Sequence, residues 1–292
     1  MAKFVRFMQN NDFNNACKVV HTFVDKIVDK ALEKSEPEDA EKVIEGKNNA
    51  GRYVFLDQLV KSTRDRTRLR DELLNILLAG RDTTASLLGI TFHILARRPD
   101  IFKTLKAEVD LLHGEKPDYE TLRNMKYLKC LLQESKSAFY NMPWASLTSL
   151  ALRLYPIVPV NARFAKKDTT IPRGGGPDGL SPVFIPKGEI VAYSVYVMHR
   201  RKDIYGLDAD DFRPERWGPE EGLRPGWAYL PFNGGPRICV GQQFALTEAS
   251  YTIVRLLQEF EGVEDRDGTP FVEKLTLTMA SDRGCKVAMI PR

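Results

Sequence analysis

The most informative part of this chain is a ten-residue stretch, Phe-Asn-Gly-Gly-Pro-Arg-Ile-Cys-Val-Gly, at positions 232–241. Three glycines surround its single thiol, Cys239, and a glycine lets the backbone turn sharply and approach a ligand closely because it has no Cβ. The residues from about Gln242 to Phe260 show the spacing of an amphipathic helix. We therefore expect Cys239 to precede a helix N-terminus, where free N–H groups and the helix dipole stabilise a thiolate.

The neighbouring arginine narrows the kind of ligand. Arg237 carries a planar guanidinium that suits a carboxylate. A thiolate beside this arginine and several glycines fits a flat, anionic and hydrophobic ligand, and a cysteine thiolate is one of the established axial ligands of haem. The alternative is a buried structural cysteine in a glycine-rich loop, which is the usual environment of a lone cysteine.

The spacing F-x-x-G-x-R-x-C-x-G resembles the haem-binding signature of the cytochrome P450 family. Five positions match it: Phe232, Gly235, Arg237, Cys239 and Gly241. Five matches at a fixed spacing favour the ligand over the structural cysteine. The resemblance implies that the cofactor is haem b (iron protoporphyrin IX) and that Cys239 is the axial ligand of its iron.

A second motif, Ala-Gly-Arg-Asp-Thr-Thr at 79–84, lies on a long helix predicted from about Arg66 to Arg98 and ended by Pro99. Its glycine and threonines have low helix propensity, and a threonine hydroxyl that bonds back to a carbonyl one turn earlier bends a helix. Alone, the hexapeptide is equally consistent with a surface aspartate and an incidental glycine. It also resembles the family's oxygen-activation motif, which implies that Thr83 directs protons and that Asp82 supplies them.

A buried charged triad is the third feature that the resemblance implies. Residues 212–217 resemble the family's F-x-P-E-R segment, in which Arg216 meets a Glu and an Arg that lie three apart on one helix. Here Glu134 and Arg153 are separated by residues 136–151, and deleting these sixteen residues restores Glu-Ser-Leu-Arg. Our hypothesis is that 136–151 is a foreign insert, such as translated non-coding sequence. If it is genuine protein, Glu134 and Arg153 meet only if it loops out.

The resemblance covers further residues that follow Arg153 in the chain. Arg163 lies seven residues beyond Pro156, where the family often places a partner of a haem propionate, although a surface arginine on a strand is equally consistent. Residues 157–161 are mainly small and apolar and would border a pocket for an aliphatic substrate. With the glycine-rich loop at 173–179, the run 193–200 resembles the fungal branch that hydroxylates n-alkanes and fatty acids. We expect His199, in that run, to be a packed or hydrogen-bonded residue and not a metal ligand.

The composition is that of an ordinary globular protein. The chain has 292 residues, 43% of them hydrophobic, and a net charge of +4 from dispersed basic residues that give no reason to expect nucleic acid. Its four cysteines are too few and too scattered for a disulfide framework. We predict a mainly α fold with a small β region, including a strand with alternation from Ile190 to Tyr196 and a hairpin over Lys274–Ile290. By resemblance, residues 1–292 form a single partial domain, the C-terminal part of the cytochrome P450 fold.

The resemblance also implies a reaction and its partners. It predicts a monooxygenase that inserts one atom of O2 into an apolar C–H bond, with electrons from NADPH through a flavoprotein NADPH–cytochrome P450 reductase. Basic residues such as Arg224 and Arg237 favour an acidic electron donor. The family is expected at the endoplasmic reticulum membrane, and because this chain shows no anchor we expect it to be soluble or peripheral.

Two other classes of protein stay open at this point. One is a non-catalytic, truncated haem-binding remnant or an unfolded fragment, since family members are much longer than this chain. The other is a thiol-based redox protein, which would need a second cysteine near Cys239, and none is adjacent in sequence.

Overall fold

The computed structural model describes residues 11–34, 55–132, 151–217 and 222–292. They belong to two compact units, which divide between Arg81 and Asp82 inside one long helix. Helices predominate among these residues, and the strands form small two-stranded sheets. The predicted mainly α fold with a small β region is confirmed.

The first unit consists of helices α1 (Asn11–Lys34), α2 (Phe55–Ser62) and the first half of α3 (Arg66–Arg97). Its core is one apolar cluster: Val24, Val28, Leu56, Val60 and Leu69. Apolar residues recur at intervals of three and four from Phe13 to Leu32 and predict an amphipathic helix, which is confirmed as α1, although Phe13 at its start is exposed. Residues 34–51 are charged and predict a loop or connector, and beyond Lys34 they lie outside the described residues.

The helices of the second unit after α3 are α4 (Pro99–Asp110), α5 (Tyr119–Asn124), α6 (Lys126–Leu132), α7 (Ala151–Leu154), α8 (Val195–Met198), α9 (Lys202–Tyr205) and α10 (Gln242–Glu259). Proline ends α3 and begins α4, because its fixed φ suits the first turn of a helix and disfavours helix in the preceding residue. In the core, α10 packs on α4, α5 and α6. Of the helices in the described ranges, none has both the length and the apolar character needed to cross a membrane.

The strands pair in four antiparallel sheets within the described residues. The pairs are β1 (Val160–Phe164) with β4 (Ile190–Ser194), β2 (Thr169–Gly175) with β3 (Ser181–Ile185), β5 (Phe260–Asp265) with β8 (Val287–Pro291), and β6 (Glu273–Leu275) with β7 (Met279–Ser281). In the first of these sheets Asn161 lies opposite Tyr193. Both residues share hydrogen bonds with Asn233, which joins β1 and β4 to the segment that carries Cys239.

The predicted hairpin over Lys274–Ile290 is wrong. A turn does occur near Gly284, which has a φ of +75° and donates its N–H to Ser281 O at 3.3 Å. The strands on either side of it pair elsewhere, β7 with β6 and β8 with β5. A tighter reversal at 276–278 brings β6 and β7 together first, and β8 is left to pair with the strand that follows α10.

The strand predicted to continue to Tyr196 ends at Ser194. The Ser194 hydroxyl accepts the N–H of Val197 at 3.2 Å and caps a short helix, so Tyr196 lies in α8. The glycine-rich segment predicted as a loop at 173–179 is partly strand, because β2 continues through Gly175. Both corrections concern element ends, where one side-chain contact decides the conformation.

Candidate functional site

The segment Phe232–Gly241, called here the cysteine loop, leads directly into α10. A short 3-10 turn at Gly235–Arg237 begins with Gly235 at a φ of +68°, a left-handed conformation that favours glycine. Cys239 donates its N–H to Phe232 O at 2.9 Å, which closes the loop on its own first residue. The five predicted loop positions are therefore brought together in one closed turn.

The thiol of Cys239 is exposed at the end of this loop, two residues before Gly241, the N-cap of α10. A Cβ at Gly241 would lie 3.9 Å from Cys239 Sγ, so the absence of a side chain there leaves the sulfur open on that side. No side chain caps the start of α10, so its first N–H groups remain oriented toward the loop. The arrangement leaves the sulfur accessible next to a helix N-terminus.

Apolar side chains border the exposed thiol. Ile238 and Val240 flank it in sequence, and Phe244 follows in the first turn of α10; all three are exposed, Val240 at 91%. Arg237 is exposed as well. Exposed apolar groups clustered around a reactive side chain mark a surface that a ligand covers. These residues fit haem, which would need a thiolate, apolar contacts for its faces and a cation for its carboxylates.

Arg163 lies on β1 and is exposed. Its guanidinium lies 5.8 Å from the ring centroid of Tyr193 on β4, and its Nη1 donates to Ala162 O at 2.8 Å. The Tyr193 hydroxyl donates in turn to Asn233 in the cysteine loop at 2.7 Å. Arg163 is thus connected to the loop through one tyrosine, while its role toward a propionate stays a prediction.

Two buried arginines form what we call the arginine scaffold, Arg153 on α7 and Arg216 on a 3-10 turn at Pro214–Trp217. Arg153 is fully buried and donates to the carbonyl oxygens of His199 at 3.1 Å, Ala209 at 2.5 Å and Asp211 at 3.0 Å. Burial and the neighbouring Arg216 guanidinium lower the pKa of Arg153 to about 10. It therefore stays charged at neutral pH.

Arg216 binds the same stretch of chain from the other side. It donates to Tyr205 O at 2.6 Å and Asp208 O at 2.7 Å, and it pairs with the Asp208 carboxylate at 3.0 Å. The hydrogen bond from Arg216 lowers the pKa of Asp208 below its usual range. Residues 205–211 are therefore held between two guanidinium groups.

The third member of the predicted triad, Glu134, lies outside the described residues, as do residues 136–150 of the predicted insert. Within the part of the chain that the structure describes, the Nε atoms of Arg153 and Arg216 are buried without a hydrogen-bond acceptor. A carboxylate is the group that would satisfy both, since leaving a buried charged donor unmatched is costly. The triad with Glu134 stays a prediction that these two donors support.

His199 connects the scaffold to the segment before the cysteine loop. Its ring is buried, stacks on Tyr229 at a centroid distance of 4.7 Å, accepts the Leu230 N–H at Nε2 at 2.8 Å and bonds Arg153 O through Nδ1 at 3.2 Å. Burial lowers the pKa of His199 to about 4, so the ring is neutral, with Nδ1 as the donor. The expectation of a packed, hydrogen-bonded histidine is confirmed, although the sequence did not indicate its partners.

The hexapeptide motif lies within α3, which is a continuous helix through residues 79–84. Asp82 and Thr83 are half-buried, and the next residue, Thr84, is buried at 6% exposure. The Thr84 hydroxyl has no hydrogen-bond partner among the described residues. Sequence reasoning passed over Thr84, yet an unsatisfied buried hydroxyl is a polar group that needs a partner. The proton-transfer roles of Asp82 and Thr83 stay predictions.

Comparison with known proteins agrees with this geometry. The sequence model of the family described as cytochrome P450 matches residues 1–284. Cytochrome P450 52A13 from Debaryomyces hansenii is 49% identical over 295 residues, which cover 98% of this chain and 52% of that protein. The cytochrome P450 monooxygenase himC from Aspergillus japonicus is 51% identical over 244 residues, which cover 83% of this chain and 41% of that protein.

A solved structure shares the fold. A crystal structure of a cytochrome P450 (CYP102L1) superposes with a TM-score of 0.73 at 25% identity and covers 99% of this chain and 59% of its own. Proteins of the cytochrome P450 class hold their haem iron through a cysteine thiolate. The chain belongs to the cytochrome P450 family. It spans about half the length of the curated relatives that it matches.

Proposed function

We propose that this chain carries the thiolate site of a haem monooxygenase that inserts one atom of O2 into an apolar C–H bond of an n-alkane or a fatty acid. The observation that carries this proposal is the exposed thiol of Cys239, which lies between exposed apolar side chains directly before α10. Membership of the cytochrome P450 family supplies the expectation that a haem binds there.

In this proposal the cysteine loop holds haem b by three kinds of contact. Cys239 would bind the iron through its sulfur, Arg237 and Arg163 would pair with the propionates, and Phe244 would contribute to the apolar surface. When bound, a thiolate-ligated haem supplies the activation of O2, because electron density from the sulfur favours cleavage of the O–O bond. The glycines at 235 and 241 let the backbone lie close to the ring.

Proton supply is the proposed role of α3. Asp82 is half-buried and so has access to solvent, from which its carboxyl group takes up protons. Thr83, the next residue, would pass them on through its hydroxyl, which is both a donor and an acceptor. The two residues then act as a relay and not as ligands.

Apolar groups support an aliphatic substrate. The segment 157–161 is tied to β7, because Met279 donates its N–H to Ile157 O at 2.8 Å. Val160 in that segment and Leu277 at the tip of the β6–β7 hairpin are both exposed, Leu277 at 76%. Small apolar surfaces of this kind suit an alkyl chain, for which binding depends on buried apolar area. The resemblance to fungal n-alkane and fatty-acid hydroxylases adds the substrate class.

Electrons are proposed to come from NADPH through a flavoprotein NADPH–cytochrome P450 reductase. Arg224 precedes the cysteine loop in the chain and Arg237 lies within it, and both are exposed. Positive charge at these positions favours an electron donor with an acidic surface. We further propose that the complete protein works at the endoplasmic reticulum membrane, as expected of the family.

A non-catalytic haem-binding remnant is the second candidate, and one observation favours it. The thiol and its apolar neighbours are exposed in this chain, so water would reach a sulfur bound to haem iron and could deliver a proton to it. Such a chain would bind haem without keeping the thiolate. The two candidates therefore differ in the protonation state of Cys239 in the haem complex.

Carbon monoxide distinguishes the two candidates. Purified chain is loaded with haem, reduced and exposed to CO, and a red-shifted Soret band is the expected sign of an intact thiolate. Cys239→Ala should lose this band, whereas Cys285→Ala, which removes a half-buried cysteine elsewhere, should keep it. A thiol-type spectrum or failure to take up haem would contradict the monooxygenase proposal.

The proton relay is tested with reductase, NADPH and a fatty acid. Thr83→Ala should keep the red-shifted band but divert a larger fraction of the electrons to peroxide, because without the Thr83 hydroxyl protons are no longer delivered in the way that leads to product. The ratio of product to NADPH consumed is the measurement. A ratio equal to that of the unsubstituted chain would show that Thr83 has no such role.

A further inference from the structure

Three side chains join the cysteine loop to the β1–β4 sheet. Tyr193 donates its hydroxyl to Asn233 Oδ1 at 2.7 Å, and Asn233 Nδ2 donates to Asn161 Oδ1 at 3.4 Å. Asn161 and Tyr193 are directly opposite each other in the register of β1 and β4. This set, called the Asn233 network, therefore links one loop residue to two neighbouring strands.

The backbone of Asn233 is held as firmly as its side chain. Its φ is +64°, a left-handed conformation that asparagine tolerates better than other residues with a Cβ. Its Oδ1 also accepts the N–H of Gly234 at 3.1 Å. One carbonyl oxygen thus receives two hydrogen bonds, one from β4 and one from the loop itself.

The network is adjacent to the bond that closes the loop. Phe232, the residue before Asn233, accepts the N–H of Cys239 at 2.9 Å. A shift of Asn233 would move the Phe232 carbonyl and with it the acceptor for the cysteine amide. The position of Cys239 therefore depends on where Asn233 is fixed.

We propose that Tyr193, Asn233 and Asn161 are positioning residues that fix the cysteine loop on the β1–β4 sheet independently of any bound ligand, and so hold the Cys239 sulfur in place for a metal. The inference rests on the proposed function and adds to it a device outside the matched signature positions. Tyr193 also lies under the Arg163 guanidinium, so the same side chain connects the sulfur ligand with the candidate propionate partner.

The first test uses the chain without haem and measures amide hydrogen exchange by NMR. Tyr193→Phe removes only the hydroxyl, and loss of one partly buried hydrogen bond should raise exchange at the Gly234 and Cys239 amides about 2- to 12-fold. Tyr196→Phe is the matched control, since its hydroxyl donates to Glu273 away from the loop. That control should leave both amides unchanged.

A second variant tests the network from the loop side, so that the result does not depend on how the Tyr193 ring settles in Tyr193→Phe. Asn233→Gly keeps access to the left-handed backbone and removes the whole side chain, so exchange at Cys239 should rise at least as much as in Tyr193→Phe. The double variant should add nothing beyond Asn233→Gly, because both changes break one network. Unchanged exchange at both amides in the two single variants, with an unchanged thermal midpoint, would overturn the proposal.

A spectroscopic measurement separates this inference from the proposed function. In the haem complex, Tyr193→Phe should speed conversion of the red-shifted CO band to the thiol-type band by a factor similar to that found for exchange, while Tyr196→Phe should not. If the unsubstituted chain never shows the red-shifted band, the monooxygenase proposal fails, and the exchange experiment still decides whether the network holds the loop. If the band forms and decays equally in all variants, the positioning role fails alone.

Discussion

The arginine scaffold and the cysteine loop lie in the same unit, yet they differ in almost every physical respect. Arg153 and Arg216 are 0% and 2% exposed, whereas Cys239 is exposed and Val240 beside it is 91% exposed. In the scaffold, charged guanidinium groups donate to main-chain carbonyls, whereas the loop is held by uncharged hydrogen bonds, one from the Cys239 N–H to Phe232 O and others through the Asn233 side chain. The comparison indicates that stability is concentrated in the scaffold and ligand chemistry in the loop.

The two regions also differ in whether their charged groups are buried. The scaffold buries two cations next to each other, and burial, followed by their mutual repulsion, lowers the pKa of Arg153. That arrangement is tolerated because carbonyl oxygens and the Asp208 carboxylate accept their hydrogen bonds. The loop leaves its sulfur and Arg237 to water, so that a ligand displaces solvent and not protein contacts. Four substitutions test this division, in order of decreasing effect on stability.

The largest loss of stability is expected at Arg153. Arg153→Leu leaves the carbonyl oxygens of His199, Ala209 and Asp211 without their buried donor, which should lower the free energy of unfolding by about 3–5 kcal/mol. Urea denaturation followed by circular dichroism measures the change. Arg163→Leu removes an exposed arginine and should change the free energy by less than about 0.5 kcal/mol. Equal effects of the two substitutions would contradict the division.

Much of the loop was predictable because its determinants are local. The glycine spacing and the helical periodicity after Gln242 placed Cys239 just before α10, and the structure agrees. Helix bounds at Tyr119–Asn124 and the start of α4 at Pro99 also follow from neighbouring residues. Periodicity and caps act within a few residues, so a sequence carries them directly.

Non-local contacts were not predictable in the same way. The pairing of β8 with β5 joins residues on either side of an intervening hairpin, and no periodic pattern specifies that partner. The hydrogen bonds of His199 to the main chain of Arg153 and Leu230, and that of Tyr193 to Asn233, connect residues 31 to 46 positions apart. Such contacts depend on how elements pack, which is why the sequence indicated the residue types but not their partners.

His199 provides the second test of the scaffold through pH. Its pKa is about 4 in the folded chain against an ordinary 6.5, so the unfolded chain takes up a proton first as the pH falls. Folding stability should be full above pH 6.5 and should decrease by about 3 kcal/mol between pH 6.5 and 4 from this group. Arg153 and Arg200, the nearby cations, add to the shift in the same direction.

The measurement compares slopes of unfolding free energy against pH. His199→Gln keeps a donor and an acceptor but cannot be protonated, so its slope between pH 6.5 and 5 should be flatter than that of the unsubstituted chain. His113→Asn is the control, because His113 is exposed and has a φ of +49° that asparagine tolerates. An unchanged slope in His199→Gln would show that the buried ring is not neutral.

Alanine substitutions at two glycines of the cysteine loop should change the free energy of unfolding less than Arg153→Leu does, and the two substitutions serve as controls for each other. A Cβ at Gly234 would lie 2.6 Å from Trp227 and 3.2 Å from Leu230, so Gly234→Ala should lower the free energy of unfolding by about 1 kcal/mol through overpacking. Trp227 is 66% exposed, so protein packs against only part of its ring and the cost stays at the low end of the roughly 1–3 kcal/mol typical of overpacking. Gly241→Ala meets nothing closer than Cys239 Sγ at 3.9 Å and should leave stability unchanged while hindering access to the sulfur. Urea denaturation and haem titration of both variants separate packing from access.

The smallest effect on stability is expected at the residue with the largest effect on function. Cys239 is exposed, and the bond it makes to Phe232 uses its backbone N–H, which Cys239→Ala retains. The free energy of unfolding without haem should therefore change by less than about 0.5 kcal/mol, although the red-shifted CO band disappears. Cys285→Ala should behave in the opposite way, because the Cys285 thiol packs against the core and burial raises its pKa. If Cys239→Ala destabilised the chain as strongly as Arg153→Leu, the sulfur would be part of the folded core, and the separation between a rigid scaffold and an open loop would not hold.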